Sequence, residues 1–280
     1  MLVDYNPNDY IGAKGGSANG EIVTKTYNYT FGGLYTYEIP GFWGYTHSPQ
    51  GHDNDCANVA GVTMLNYWNN YYDNDLLKET RLNGYGDLDG DAALDYMNLF
   101  YSYDYMKTNQ YWGLDIGIGG TWFRDVKGGF KKLINEKGYQ CETIDFIDST
   151  YENNVSHLKL GTPFFVQSSD YYFTANDDLK RFAETDEERK DKFDRYLQQD
   201  GGTPHTFSIA HNHYNTTKMI HVFVIFGYGY YDLTAHPTPA ESVKYQIKFY
   251  KIFDGWDSTP RYFNIDESII DYICSVKVYK

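Results

Sequence analysis

The chain has 280 residues, with 24 Lys and Arg against 38 Asp and Glu, a formal net charge of −14. That balance argues against nucleic acid or an anionic membrane as the main partner, because both repel an acidic surface. The length suffices to bury a sizeable core, as one large domain or two small ones, and no apolar run of about 18 residues occurs, so no membrane insertion is expected.

Taken in chain order, residues 1–20 are polar and Gly-rich and read as an arm. Residues 21–40 alternate in short stretches and predict one or two strands. The division expected is an N-terminal arm with strands over 1–36 and the main domain over 37–280. M-L-V-D-Y-N-P-N-D-Y has no basic stretch followed by an apolar core, so no signal peptide is read in this chain, while the acidic charge fits an extracellular or cell-surface setting. Residues 43–55, rich in Gly, Pro, Ser, Asp and Asn, predict an irregular loop. Val59, Val62, Met64, Leu65 and Trp68 then recur near helical spacing and predict a helix over 56–72. Further helices are expected over about 91–107 and about 122–137, the last stopped at Gly138. The acidic run Asp87–Asp91, with Asp95 after it, partly resembles a calcium loop. Ala92 stands where such a loop needs Gly, and Asn98 where it needs an acid, so a solvated turn capping the next helix is the better reading.

Residues 139–169 read as strands around L-G-T-P. The charged run within 170–200 reads as an inserted, solvated helix. Residues 205–280 are mostly strand text. H-V-F-V-I-F predicts a buried strand headed by His221, followed by a turn at Gly227-Tyr228-Gly229. Residues 245–253 predict the next strand, closed by Asp254-Gly255-Trp256. Helices first and an antiparallel sheet second predict an α+β fold. His205, His211 and His213 read as a surface loop, because no Cys or carboxylate set completes a zinc site; no metal and no cofactor are expected. Of the three cysteines, Cys141 and Cys274 sit in strand text and are expected as buried free thiols. The 30 Tyr and 17 Phe suit strand positions, with some rings left to line a binding surface.

One set of residues names a reaction. Gln50 lies six residues before Cys56, and His221 and Asp254 follow at the ends of predicted strands. A cysteine attacks as its thiolate, and a free thiol near pKa ~8.5 is mostly protonated at neutral pH. An adjacent imidazolium lowers that value, and a third group fixes the imidazole's direction. Gln50 and the Cys56 main-chain N–H are candidate donors to the oxyanion of a tetrahedral intermediate. The helix starting at Cys56 adds a favourable dipole.

Asp55-Cys56 with Gln50 upstream, H-V-F-V-I-F-G-Y and D-G-W together resemble papain-like cysteine peptidases of the bacterial type related to streptopain and the bacteriocin-leader peptidases. Gly119–Thr121 and L-G-T-P-F-F-V at Leu160–Val166 also resemble that family's middle section, and the likeness covers roughly residues 37–265. It implies a papain-like fold, with a helical lobe, a sheet lobe and the active-site cleft between them. It implies a catalytic set of Cys56, His221, Asp254 and Gln50, with Trp256 shielding the His–Asp bond beside the substrate. The implied activity is hydrolysis of peptide or protein substrates through an acyl-enzyme. Asp55 and Ala57 flank the cysteine where papain has Ser and Trp, and Asp254 stands where papain has Asn. A catalytically inactive or acyl-transferring relative, acting as a surface peptide- or glycan-binding module, is the alternative.

Overall fold

The structure is a computed structural model and describes residues 28–47, 54–78, 81–111, 114–115, 120–146, 150–170, 173–175, 221–236, 242–255, 260–265 and 269–280. In chain order the elements are β1 (Asn28–Glu38), α1 (Cys56–Tyr71), α2 (Gly90–Tyr101), β2 (Gln110–Tyr111), β3 (Leu114–Asp115), α3 (Phe123–Glu136), β4 (Gln140–Asp145), α4 (Tyr151–Lys159), β5 (Phe164–Asp170), β6 (Phe173–Ala175), β7 (His221–His236), β8 (Val243–Phe253), β9 (Arg261–Asn264) and β10 (Ile269–Tyr279). The fold is a mixture of helices and antiparallel sheet, as the α+β reading expects. Gln50, Trp256, Gly119, the three histidines at 205–213 and the charged run of 170–200 beyond residue 175 lie outside the described residues. Among the described residues no helix is long and apolar enough to cross a membrane.

α1 is buried from Ala57 to Asn69, because its sequence puts small or apolar residues on every side. Several of its polar side chains hold surrounding loops. Asn66 donates to Asp87 at 2.8 Å and accepts from the Leu88 N–H at 2.9 Å. Asn69 accepts from the Leu77 N–H at 2.9 Å, and Thr63 from the Tyr45 N–H at 3.3 Å. Buried amides earn their place only when paired in this way.

The acidic turn before α2 is used differently along its length. Asp87 is buried and also accepts from Asn70 at 2.7 Å, so this end is not solvated. Asp89 caps α2 by accepting from the Ala92 N–H at 2.7 Å. Asp91 and Asp95 pair with Arg81 on the surface.

The large sheet runs β4-β10-β5-β7-β8-β9-β6, with β1 also pairing β7. β5 pairs the start of β7, from Ser168 opposite His221 to Phe164 opposite Ile225. β1 pairs the rest, from Glu38 opposite Gly227 to Asn28 opposite His236. β1 therefore runs across residues 36–37, where the sequence suggested a boundary between arm and domain. Val222, Phe223, Val224 and Ile225 are all buried, and α1 packs against this strand. One apolar core joins α1, α2 and α3 to β5, β7 and β10.

Two elements differ from expectation. Gly227-Tyr228-Gly229 is not a turn: β7 continues through it. A Cβ at Gly227 would lie 2.5 Å from the Tyr37 carbonyl oxygen, and one at Gly229 would lie 2.4 Å from the Phe249 ring. The glycines serve close approach of neighbouring strands, a reading open to any Gly in strand text. Within 139–169 a helix, α4, interrupts the strands. Thr150 caps it by accepting from the Asn153 N–H at 3.3 Å, and Gly161 at φ +73° follows it. That cap-and-stop signal was present in the sequence but lies inside text rich in strand formers.

Candidate active site

Cys56 is the first residue of α1, and the residue as a whole is half-buried. The main-chain N–H groups of Val222, Ala57 and Cys56 itself face its sulfur and favour a thiolate. Two of these are donors of the helix N-terminus, which have no partner within the helix. Val222 directly follows His221, so the packing of α1 on β7 brings the sulfur beside the head of that strand.

His221 is buried, with 4% of its surface exposed. Its Nε2 donates to the main-chain carbonyl of Asp254 at 2.7 Å. A carbonyl only accepts, so Nε2 carries the hydrogen and Nδ1 of the neutral ring carries a lone pair. The Asp254 carboxylate accepts from Arg261 at 2.6 Å and is buried. It also acts on the ring through its charge, favouring the imidazolium. The fold brings His221 and Asp254 together, but the hydrogen bond that orients the ring comes from the Asp254 main chain, and Cys56 lies beside Val222, the residue after His221.

A histidine–carboxylate pair, His47 with Asp55, adjoins His221 and Asp254. His47 Nδ1 bonds the Asp55 carboxylate, and Asp55 is buried at the start of α1. The His47 N–H donates to the Gly255 carbonyl at 2.9 Å, and its ring centroid is 6.4 Å from that of His221. Gly255 has φ +81°, and a Cβ there would meet Val59 at 3.1 Å and the His47 ring at 3.3 Å. Glycine is thus required twice at this position, for the left-handed backbone and for the space.

The support behind Cys56 comes from the segment containing G-G-T. Thr108 donates to Asn58 at 2.8 Å and shares a 2.6 Å hydrogen bond with Thr121. Asn109 exchanges main-chain and side-chain bonds with Gly120, both at 2.9 Å, and accepts from Asn54 at 3.4 Å. The loop entering α1 is therefore tied to the turn before α3.

Burial works against the ion pair that the sequence suggested. It pushes the Cys56 thiol up to about 11, offset in part by the Val222 N–H and reinforced by the Asp55 charge. It lowers His221 to about 4, against the raising effect of Asp254. Both groups rest neutral at pH 7. Cys141 and Cys274 are free and buried as expected, and burial raises Cys141 to about 12 and Cys274 further still.

Sequence reasoning missed His47, Asp55 and Arg261 as members of this cluster. A weak signal existed for two of them: T-H-S-P-Q-G-H-D-N-D-C packs four ionisable residues just before the cysteine. For Arg261 the signal was an arginine at the head of an apolar strand. No protein-family model and no curated protein compared with this chain matches it.

Proposed function

We propose that this chain is a cysteine peptidase with a papain-like arrangement of helices and sheet, acting on peptide or protein substrates. The observation that carries the reading is the convergence of Cys56, at a helix N-terminus, with the head of β7, where His221 is oriented by Asp254. Since the resting pair is neutral, His221 acts as general base. Its Nδ1 takes the thiol proton as the sulfur attacks the substrate carbonyl, then gives it to the leaving amine. Water releases the acyl group in a second step. The oxyanion takes a hydrogen bond from the Cys56 main-chain N–H and, on this reading, one from Gln50. The Asp254 charge stabilises the imidazolium as it forms.

Burial that favours a neutral thiol supports a second reading, an inactive or acyl-transferring relative that binds peptides or glycans. One experiment separates them. Wild-type protein is incubated with a peptide library and with a thiol-peptidase inactivator, beside Cys56→Ala and His221→Ala. The peptidase reading expects cleavage and covalent labelling at Cys56, both lost in Cys56→Ala, with labelling falling at least 10²-fold in His221→Ala. No cleavage and no labelling of folded wild-type protein would end that reading.

A further inference from the structure

Asp55 occupies the N-cap position of α1, yet its side chain makes no capping hydrogen bond. An aspartate there normally accepts from an N–H of the first turn, a bond whose loss costs about 1 kcal/mol. Here the carboxylate is turned to His47 instead. The first-turn donors of Cys56 and Ala57 are left to the sulfur. His47 in turn is fixed by its main-chain bond to Gly255, the residue after Asp254. The pair thus spans the site from the cysteine helix to the end of β8.

We propose that His47 is a positioning residue that holds the Asp55 carboxylate off the Cys56 sulfur. The proposal rests on the peptidase reading for its purpose, but its chemistry is that of the thiol alone. A carboxylate one residue from a developing thiolate opposes it, as a like charge does. The Nδ1–H of His47 engages that carboxylate and draws its charge away from the sulfur. Among the described residues, the other charged or titratable groups of the cluster are His221 on β7, Asp254 at the end of β8 and Arg261 on β9. The last two are paired with each other, and among the described residues Asp55 is the carboxylate whose charge acts on Cys56.

The test is the rate of iodoacetamide alkylation of Cys56 against pH, read by peptide mapping on the whole chain. Asp55→Asn is expected to speed alkylation about tenfold at pH 8, because removing the charge moves the thiol's profile down by about one pH unit. His47→Ala is expected to slow it by a similar factor, since the carboxylate is released toward the sulfur. His47→Phe, which keeps a ring against Gly255 but has no N–H, is expected to follow His47→Ala and guards against a folding defect. In the Asp55→Asn background, His47→Ala is expected to add nothing. A clamp that is merely structural would make Asp55→Asn and His47→Ala shift the profile in the same direction, and that result overturns the proposal, as does no shift in either. A wild type that shows the expected ordering but cleaves no peptide leaves this proposal standing and removes only the peptidase reading.

Discussion

His221 sits neutral in the interior, and folding therefore opposes its protonation. Its ordinary value of 6.5 applies in the unfolded chain, and burial lowers the folded value to about 4. Between those limits the unfolded state binds the extra proton, so stability is lost as pH falls from 6.5 toward 4, at about 1.4 kcal/mol per pH unit. Urea unfolding at pH 7 and pH 5 is expected to show a loss of about 2 kcal/mol, and His221→Gln is expected to flatten that slope. Arg261 has the converse role. Its guanidinium faces the buried Asp254 carboxylate, and Arg261→Ala is expected to cost about 3–5 kcal/mol, read from the same urea curves, by leaving that charge without its cation. Cys56, His221 and Asp254 were singled out in the sequence because the reaction proposed for them demands those residue types in a recognisable order. His47 and Arg261 were not. Their importance comes from what they touch, and a histidine in a polar loop or an arginine at a strand end has many ordinary uses.

At the scale of elements, buried periodicity was a good guide to α1 and to the apolar half of β7. The expected helix over 56–72 is observed as Cys56–Tyr71, and that over about 122–137 as Phe123–Glu136. The helix expected to reach about 107 ends at Tyr101, where Ser102 turns to extended backbone. Glycine was the weak point. G-Y-G reads as a turn when only the chain's own dihedrals are considered, but here the absent side chains make room for β1 and Phe249. Gly229→Ala is expected to destabilise the protein by about 2–4 kcal/mol, because its Cβ would lie 2.4 Å from Phe249 and 2.5 Å from the Tyr35 carbonyl. Gly90→Ala, where nothing lies within 4 Å, is the control and is expected to change the thermal midpoint little.

For the molecule as a whole, three free thiols in different settings provide a direct probe of the fold. Cys56 keeps accessible surface, whereas Cys141 and Cys274 are buried in β4 and β10. Under native conditions iodoacetamide is expected to modify Cys56 alone, and the other two only after denaturation, since reaction needs both access and a thiolate. Labelling of all three at equal rates would contradict the core described above. The α+β class and the antiparallel sheet followed from the order of helical and alternating text. The strand order did not, because which edge meets which is decided by long-range pairing that local pattern does not encode.

β7 is bonded to β5, β1 and β8 along its length, and His221 is its first residue. The amides of the strand are therefore expected to be among the slowest in the protein to exchange with deuterated solvent, opening only when the whole molecule opens. The imidazole is anchored to that slowest-exchanging unit. Heat or urea should then extinguish thiol chemistry and dismantle the sheet in a single transition, with no intermediate range in which the site has melted while the scaffold persists.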